Sequence, residues 1–258
     1  LTIGSDIVRL KEEKVSNEML KDFRKSFLTS EQEQIFIREK ELDFAYSFPG
    51  VGRFRINYFV QRGTDAIVIH HIPIAIKTTK ELGLPQSLNK IALEDRGLVL
   101  IVGSAGSGKS TTLAALIDHR NQNKTGHILT LEDPIEFLHQ HKKSIVNQRE
   151  IGQDSLSFKR ALKSALRENP SALLMGEIRD MDTIATAVNF AETGHLVLST
   201  MHATNTQLAV ERIFNIYGAE LQKTARDQLS ENINAIIAQR LVPTKDKKLF
   251  PAVEILLP

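Results

Sequence analysis

"GLVLIVGSAGSGKST", residues 97–111, decides how this chain is read. It opens on an apolar run of strand length, crosses a loop with glycine at 103, 106 and 108, and ends on Lys109, Ser110 and Thr111, where helical spacing begins. The pattern is G-x-x-x-x-G-K-[ST]. A strand delivers a loop whose backbone can wrap a phosphate chain with its amides inward, and a helix adds its positive end to the same anion. Gly103, Ser104, Ala105, Gly106, Ser107, Gly108, Lys109, Ser110 and Thr111 are therefore the candidate nucleotide-binding residues. Lys109 supplies a point charge for the outer phosphates and Ser110 a hydroxyl ligand for Mg²⁺. A glycine-rich turn without a ligand would leave Lys109 and Ser110 together unexplained. ATP or GTP is the expected ligand.

Outward from this stretch, short apolar runs alternate with amphipathic helices. "HILTLED", "ALLMGE" and "HLVLST" read as strands. "SFKRALKSALRE", "MDTIATAVNFAE" and "NTQLAVERIF" read as helices between and after them. Such alternation implies an α/β fold, a parallel sheet with helices on both faces. "AELQKTARDQLSENINAII", residues 219–237, reads as helix before strand-like "QRLVP" and "FPAVEILL". On the other side, "IPIAIKTTKELGLP" has little periodicity and reads as a linker. Before it, "SNEMLKDFRKSFL" carries a Ser16 or Asn17 cap, and "SEQEQIFIREK" a Ser30 cap with Glu33 placed for a capping box. "LDFAYSF", "RFRINYFVQ" and "AIVIHHI" are strand-like, separated by the turn signals "PGVG" and "RGTD". Two hairpins make an antiparallel meander, so a small α+β domain is expected over residues 1–72, a linker over 73–87 and the nucleotide domain over 88–258.

Composition narrows the partners. The 258 residues include no cysteine, 25% charged residues and a net charge of +2. Disulfides and thiolate metal sites are excluded. The near-neutral balance speaks against a dedicated nucleic-acid binder. No apolar run approaches the roughly 20 residues that span a bilayer, so no direct membrane insertion is expected. There is no visible signal peptide, repeat or low-complexity segment. The chain begins at Leu1 and stops at Pro258 after an apolar run, so both ends read as trimmed.

A hydrolytic site needs acidic strand ends near the phosphates. Glu177 ends "ALLMGE", and Gly176 stands where many P-loop enzymes carry the aspartate that steers magnesium. Ser110, phosphates and water must then hold the metal, with Glu177 reaching it through water. "LEDPIEF" adds Glu132, Asp133 and Glu136, and Pro134 breaks the chain at the sheet edge where ligands gather. Two histidines bracket the strand "LVLST". His202 follows its carboxyl end and falls on the ligand side, whereas His195 precedes it, roughly 20 Å away along an extended chain. His202 is the candidate phosphate sensor and His195 a structural or subunit-contact residue.

"GSAGSGKST", "EDPIEF", "GEIRD" and "GHLVLSTMHATN" occur in this order and resemble the Walker A, Asp box, Walker B and His box of the secretion-ATPase superfamily. The chain is most similar to the type IV pilus retraction ATPases, the PilT/PilU group. "HKKSIVNQREIG", "ALKSALRENP" and "PGVGRFRINYFVQRG" extend the likeness over nearly the whole chain, and "DHRN", "EFLHQH" and "NFAETGH" look PilU-like. The resemblance implies a PAS-like N-terminal domain, a RecA-like P-loop ATPase domain, ATP and Mg²⁺ as ligands, and a homo-hexamer whose turnover drives pilin removal. It implies a cytoplasmic protein at the inner membrane, an inner-membrane platform protein as partner, and a PilT-like partner ATPase. By the same resemblance Glu136 activates the attacking water, with Glu132 and Asp133 in support. Glu177 is the Walker B glutamate, His202 faces the γ-phosphate, and Arg53 and Arg55 reach the nucleotide from the N-terminal domain. Strand alternation puts Arg53 and Arg55 on one face; without the resemblance they read as a solvated surface.

The family pattern is not followed everywhere. His70 stands where many relatives carry arginine, and Arg62 is a candidate to compensate. The family also continues past "VEILL" into a helical region with an "AIRNLIRE"-like motif tied to retraction, which this sequence does not include. Three other readings compete with the retraction motor. They are a secretion, assembly or DNA-transfer ATPase of the same superfamily, an ATP-binding accessory subunit of a partner motor, and a small-molecule P-loop kinase. The absence of cysteine counts against an assembly ATPase with a cysteine zinc site, and a kinase would leave the Asp and His boxes as accidents.

Overall fold

The runs that read as strands and helices build two units, Leu1–Ile72 and Pro73–Pro258. The computed structural model describes residues 2–3, 6–9, 14–48, 51–72, 75–246 and 249–258. In the first unit a short pair, β1 (Thr2–Ile3) and β2 (Asp6–Ile7), precedes two helices. Helix α1 (Asn17–Phe27) is capped by Ser16, whose hydroxyl accepts from the Met19 amide at 3.1 Å. Helix α2 (Ser30–Glu39) begins one residue earlier than its sequence suggests. Thr29, not Ser30, is the cap: its hydroxyl accepts from the Gln32 amide, and Gln32 Oε1 accepts from the Thr29 amide. Thr29 and Ser30 offer the same hydroxyl chemistry, and the polar residue at the right distance decides between them. Gln32 fits Thr29, so Glu33 is left outside the box.

Strands β3 (Glu41–Phe48), β4 (Gly52–Gln61) and β5 (Thr64–Ile72) form the expected antiparallel meander. Arg62 and Gly63 join β4 to β5 with φ of 50° and 79°, the positive pair that a two-residue hairpin of matching twist requires. Pro49 and Gly50 of the "PGVG" turn, and Pro73 and Ile74 after β5, lie outside the described residues. Leu42, Phe44, Ile56 and Tyr58 alternate onto the face that packs on Phe36 of α2, which puts Arg53 and Arg55 on the other face.

The second unit grows from β6 (Gly97–Val102), every residue of which is buried. After α3 (Ser87–Ala92) and β6 come α4 (Lys109–Asn123), β7 (Gly126–Glu132), β8 (Ser144–Glu150), α5 (Phe158–Glu168) and β9 (Ala172–Glu177). These are followed by α6 (Met181–Glu192), β10 (Leu196–Met201), α7 (Thr206–Tyr217), α8 (Gln222–Asn232), β11 (Ile233–Pro243) and β12 (Leu249–Leu256). The seven strands lie in the order β12-β11-β6-β10-β9-β7-β8, parallel except for β12, which runs antiparallel to β11. Leu98, Leu100 and Val102 point into an apolar layer shared with α6 and α7, and Val99 and Ile101 into the opposite layer with α3 and α4. Both faces of β6 are thus covered, as its unbroken apolar run demands.

Two sequence expectations change here. Residues 75–87, the described part of the stretch read as a linker, belong to the second unit: Thr79 and Leu84 are buried, and Leu84 joins the α3–α4 layer with Leu88. The helix expected over 219–237 ends at Asn232. "INAII" instead enters the sheet beside β6 as the start of β11, where isoleucine suits a pleated, doubly covered strand better than a helix end.

Arg120 on α4 is 1% exposed. Its guanidinium donates to the carbonyls of Ala92 (3.0 Å), Glu94 (2.7 Å) and Ser171 (3.3 Å), tying α4 to the end of α3 and to the chain entering β9. Burial lowers its pKa, and Asp95 opposes that effect. Arg120→Ala should cost about 3 kcal/mol, because it strands buried carbonyls and opens a void. The midpoint of denaturant unfolding measures this, and an unchanged midpoint would refute the tie.

Candidate active site

The phosphate loop is built where β6 ends. Gly106 and Gly108 have φ of 73° and 86°, and α4 starts at Lys109. Gly103 and Gly108 are also crowded by a residue that lies far along the chain. A Cβ on Gly103 would sit 2.4 Å from the Gln239 carbonyl oxygen, and one on Gly108 would sit 2.8 Å from Gln239 Nε2. Gln239, buried on β11, donates from Nε2 to the Ser107 carbonyl (2.8 Å) and accepts at Oε1 from the Thr112 hydroxyl (2.8 Å). One side chain therefore holds both the loop and the first turn of α4. Sequence reading missed Gln239. Its signal was a lone amide in the apolar strand "AIIAQRLV".

Lys109 Nζ donates to the carbonyls of Gly103 (2.9 Å) and Ser104 (2.8 Å), folded over the loop it belongs to. Desolvation lowers its pKa, while Glu177 and Glu136 act in the other direction. It lines a cleft of about 520 Å³ together with Ser110, Glu132, Glu136, Glu177 and His202. The cleft lies at the carboxyl ends of the parallel strands, the expected ligand side.

The acidic loop is anchored from its neighbours. Strand β7 ends at Glu132, before a cis peptide between Asp133 and Pro134. Glu132 accepts from the Thr130 hydroxyl (2.6 Å) and from Gln148 Nε2 (3.2 Å). Burial still raises its pKa, with those hydrogen bonds opposing the rise. Glu150, on β8, accepts from the Ile135 amide at 3.1 Å. These contacts fix the loop so that Asp133 and Glu136 face the cleft. His139, unremarked in the sequence, also lines it, and burial pushes its pKa down to about 4. It is neutral near pH 7 and brings no charge to a phosphate.

Glu177 ends β9 and meets His202 across the strand ends, with His202 Nε2 3.3 Å from Glu177 Oε1. A Cβ on Gly176 would make only ordinary contact with the Leu131 carbonyl, at 3.5 Å, so space does not account for the glycine. His195 lies at the other end of β10. Its Nδ1 is 3.1 Å from the Phe190 carbonyl and 3.1 Å from the Thr193 hydroxyl, and its ring is edge-on to Phe190. It packs and caps.

Arg53 and Arg55 lie on β4 of the first unit, where Arg53 donates to Ser47 Oγ at 3.5 Å and Arg55 is exposed. His70 pairs directly across from Arg55 and shares its face. Arg62 sits in the hairpin turn, six or more residues along β5 from His70. At about 3.3 Å per residue that is some 20 Å, so Arg62 does not stand in for the missing arginine.

Among the described residues no three His, Asp or Glu side chains are grouped to hold a metal by themselves. Mg²⁺ takes few protein ligands and completes its shell with phosphate and water. The Ser110 hydroxyl and Glu177, which line the same cleft, fit that habit.

A glycine-bent loop at the carboxyl edge of a parallel sheet, faced by two acidic strand ends, is the site of a P-loop nucleotide-binding α/β protein. Residues 16–252 match the family model described as type II/IV secretion system protein, and the chain belongs to that family. It is 48% identical over 231 residues to the type IV pilus ATPase PilU of Pseudomonas aeruginosa, covering 89% of this chain and 60% of that protein. It is 44% identical over 246 residues to a twitching motility protein of Neisseria gonorrhoeae, covering 95% and 66%. The crystal structure of the pilus retraction motor PilT with bound ADP superposes with a TM-score of 0.91 at 42% identity, covering 94% of this chain and 70% of that one. The chain thus spans 60% to 70% of the length of these relatives. The similarity read from the four motifs is borne out, as is the α/β fold with a small antiparallel unit before it. No helix among the described residues is long and apolar enough to cross a membrane.

Proposed function

We propose that this chain is the ATP-hydrolysing part of a motor for type IV pilus retraction, the activity behind twitching motility. The observation that carries the reading is the convergence of Lys109, Ser110, Glu136, Glu177 and His202 on one cleft at the phosphate loop. The names of the relatives at 41% to 48% identity support the pilus assignment.

In this reading the second unit is a RecA-like ATPase domain and the first a PAS-like domain. The loop amides from Gly103 to Thr111 and Lys109 hold the β- and γ-phosphates, and Ser110 would hold the metal. Mg²⁺, when bound, neutralises phosphate charge. Glu136 orients the attacking water and takes its proton. The water oxygen bonds the γ-phosphorus, the bond to the bridging oxygen breaks, and ADP leaves with the electron pair. Glu177 and His202, already in contact, report the loss of the γ-phosphate to β9 and β10. Arg53 and Arg55 of a neighbouring copy stabilise the charge on the transferred group, with His70 beside Arg55 in place of a third cation.

The working unit is a homo-hexamer at the cytoplasmic face of the inner membrane, acting on a platform protein. The hexamer, the membrane site and the platform rest on the family resemblance. Identity of 48% to PilU against 41% to PilT favours a PilU-like place beside a PilT-like partner. An ATPase assay run beside mass measurement, with and without ATP, tests the reading. A hydrolysing hexamer is expected, and a monomer that binds without turnover would shift the assignment to an accessory subunit.

A further inference from the structure

The cleft is acidic for a phosphate site. Glu132, Asp133, Glu136, Glu177 and Asp180 line it, against Lys109 and Arg179. Arg179 has no part in the mechanism above, yet it is aimed at the centre of it. Its Nε and Nη2 both reach Glu177 Oε2, at 2.8 and 2.7 Å, while His202 approaches the other oxygen. The Arg179 backbone amide donates to the Thr183 hydroxyl (3.3 Å), inside the capping box with which Asp180 starts α6. The arginine backbone is therefore fixed, and its side chain, 73% exposed, reaches back over a carboxylate only 16% exposed.

Glu177 and Lys109 line the same cleft, and the carboxylate acts against the burial that lowers the lysine's pKa. Two cations thus compete for one carboxylate. If Glu177 turned to Lys109, it would neutralise the ammonium where a phosphate must meet it. In the structure Lys109 instead rests on two loop carbonyls, which a phosphate can displace.

We infer that Arg179 is a positioning residue that holds Glu177 away from Lys109 and so keeps the loop lysine free for phosphate. The inference rests on the nucleotide reading above. The test is calorimetric titration of the chain with ADP and with a non-hydrolysable ATP analogue. Arg179→Ala should weaken both by about tenfold, the scale of one charge-assisted contact. Arg179→Lys, which keeps the charge but loses the two-nitrogen grip, should fall between.

The deciding variant carries Arg179→Ala and Glu177→Gln together. An amide has no charge to place on Lys109, so this variant should bind within about twofold of Glu177→Gln alone. A tenfold loss that persists in the pair would mean that Arg179 touches phosphate itself and would overturn the positioning role. Unchanged binding by Arg179→Ala would overturn it as well. Absence of binding by the unsubstituted chain would instead overturn the nucleotide reading, and this inference with it.

Discussion

Lys109→Ala should abolish tight nucleotide binding, with a loss of at least about hundredfold in Kd, on the scale of a desolvated charge-assisted contact. The loop amides and the start of α4 survive the substitution, but they carry only partial charge. Lys109 alone brings a full charge to the loop, and burial already makes that charge costly to keep without an anion. Its ammonium is held at the loop by the Gly103 and Ser104 carbonyls. Titration calorimetry measures the effect, and binding retained within about tenfold would remove the phosphate-loop assignment. Arginine should not rescue it, because a planar fork does not match two carbonyls set for a compact ammonium.

Glu136→Gln and Glu177→Gln should separate binding from turnover. Each keeps its shape and removes a charge, so ATP should stay bound. Turnover should fall by roughly 10²–10⁴-fold for the residue that takes the proton, the range for a positioned acid or base. Glu136 faces the cleft from a loop whose backbone is pinned by Glu150 and Gln148, so its carboxylate is presented to the space where water would sit. Glu177 is held on both oxygens. The larger loss should therefore fall on Glu136, and single-turnover measurements with bound ATP check the order. Unchanged turnover in both variants would remove the assigned chemistry.

The strand before the phosphate loop, the two acidic strand ends and the separation of His195 from His202 were legible in the sequence. Each is local: an apolar run fixes a strand, and its last residue faces the ligand side. What the sequence hid depends on neighbours. Gln239 binds Ser107 from 132 positions away, and only the pairing of β11 with β6 brings them together. "INAII" continues a helical rhythm and becomes strand because a place beside β6 is open to it. "SIVNQRE", the edge strand β8, is too polar to announce itself, since one of its faces is half exposed. Thr29 and Ser30 differ as caps only through the reach of Gln32. Arg179 stands in "GEIRD" with no legible task, because two-residue spacing past a strand end does not say where a long side chain will turn.

The grip of Gln239 also has a consequence during synthesis. Residues 97–111 leave the ribosome well before β11 does, and until β11 docks beside β6 the Ser107 carbonyl and Thr112 hydroxyl have no partner to set their positions. A nascent chain that has emerged only as far as α8 should therefore hold no ATP, and nucleotide capture becomes a marker that β11 has docked.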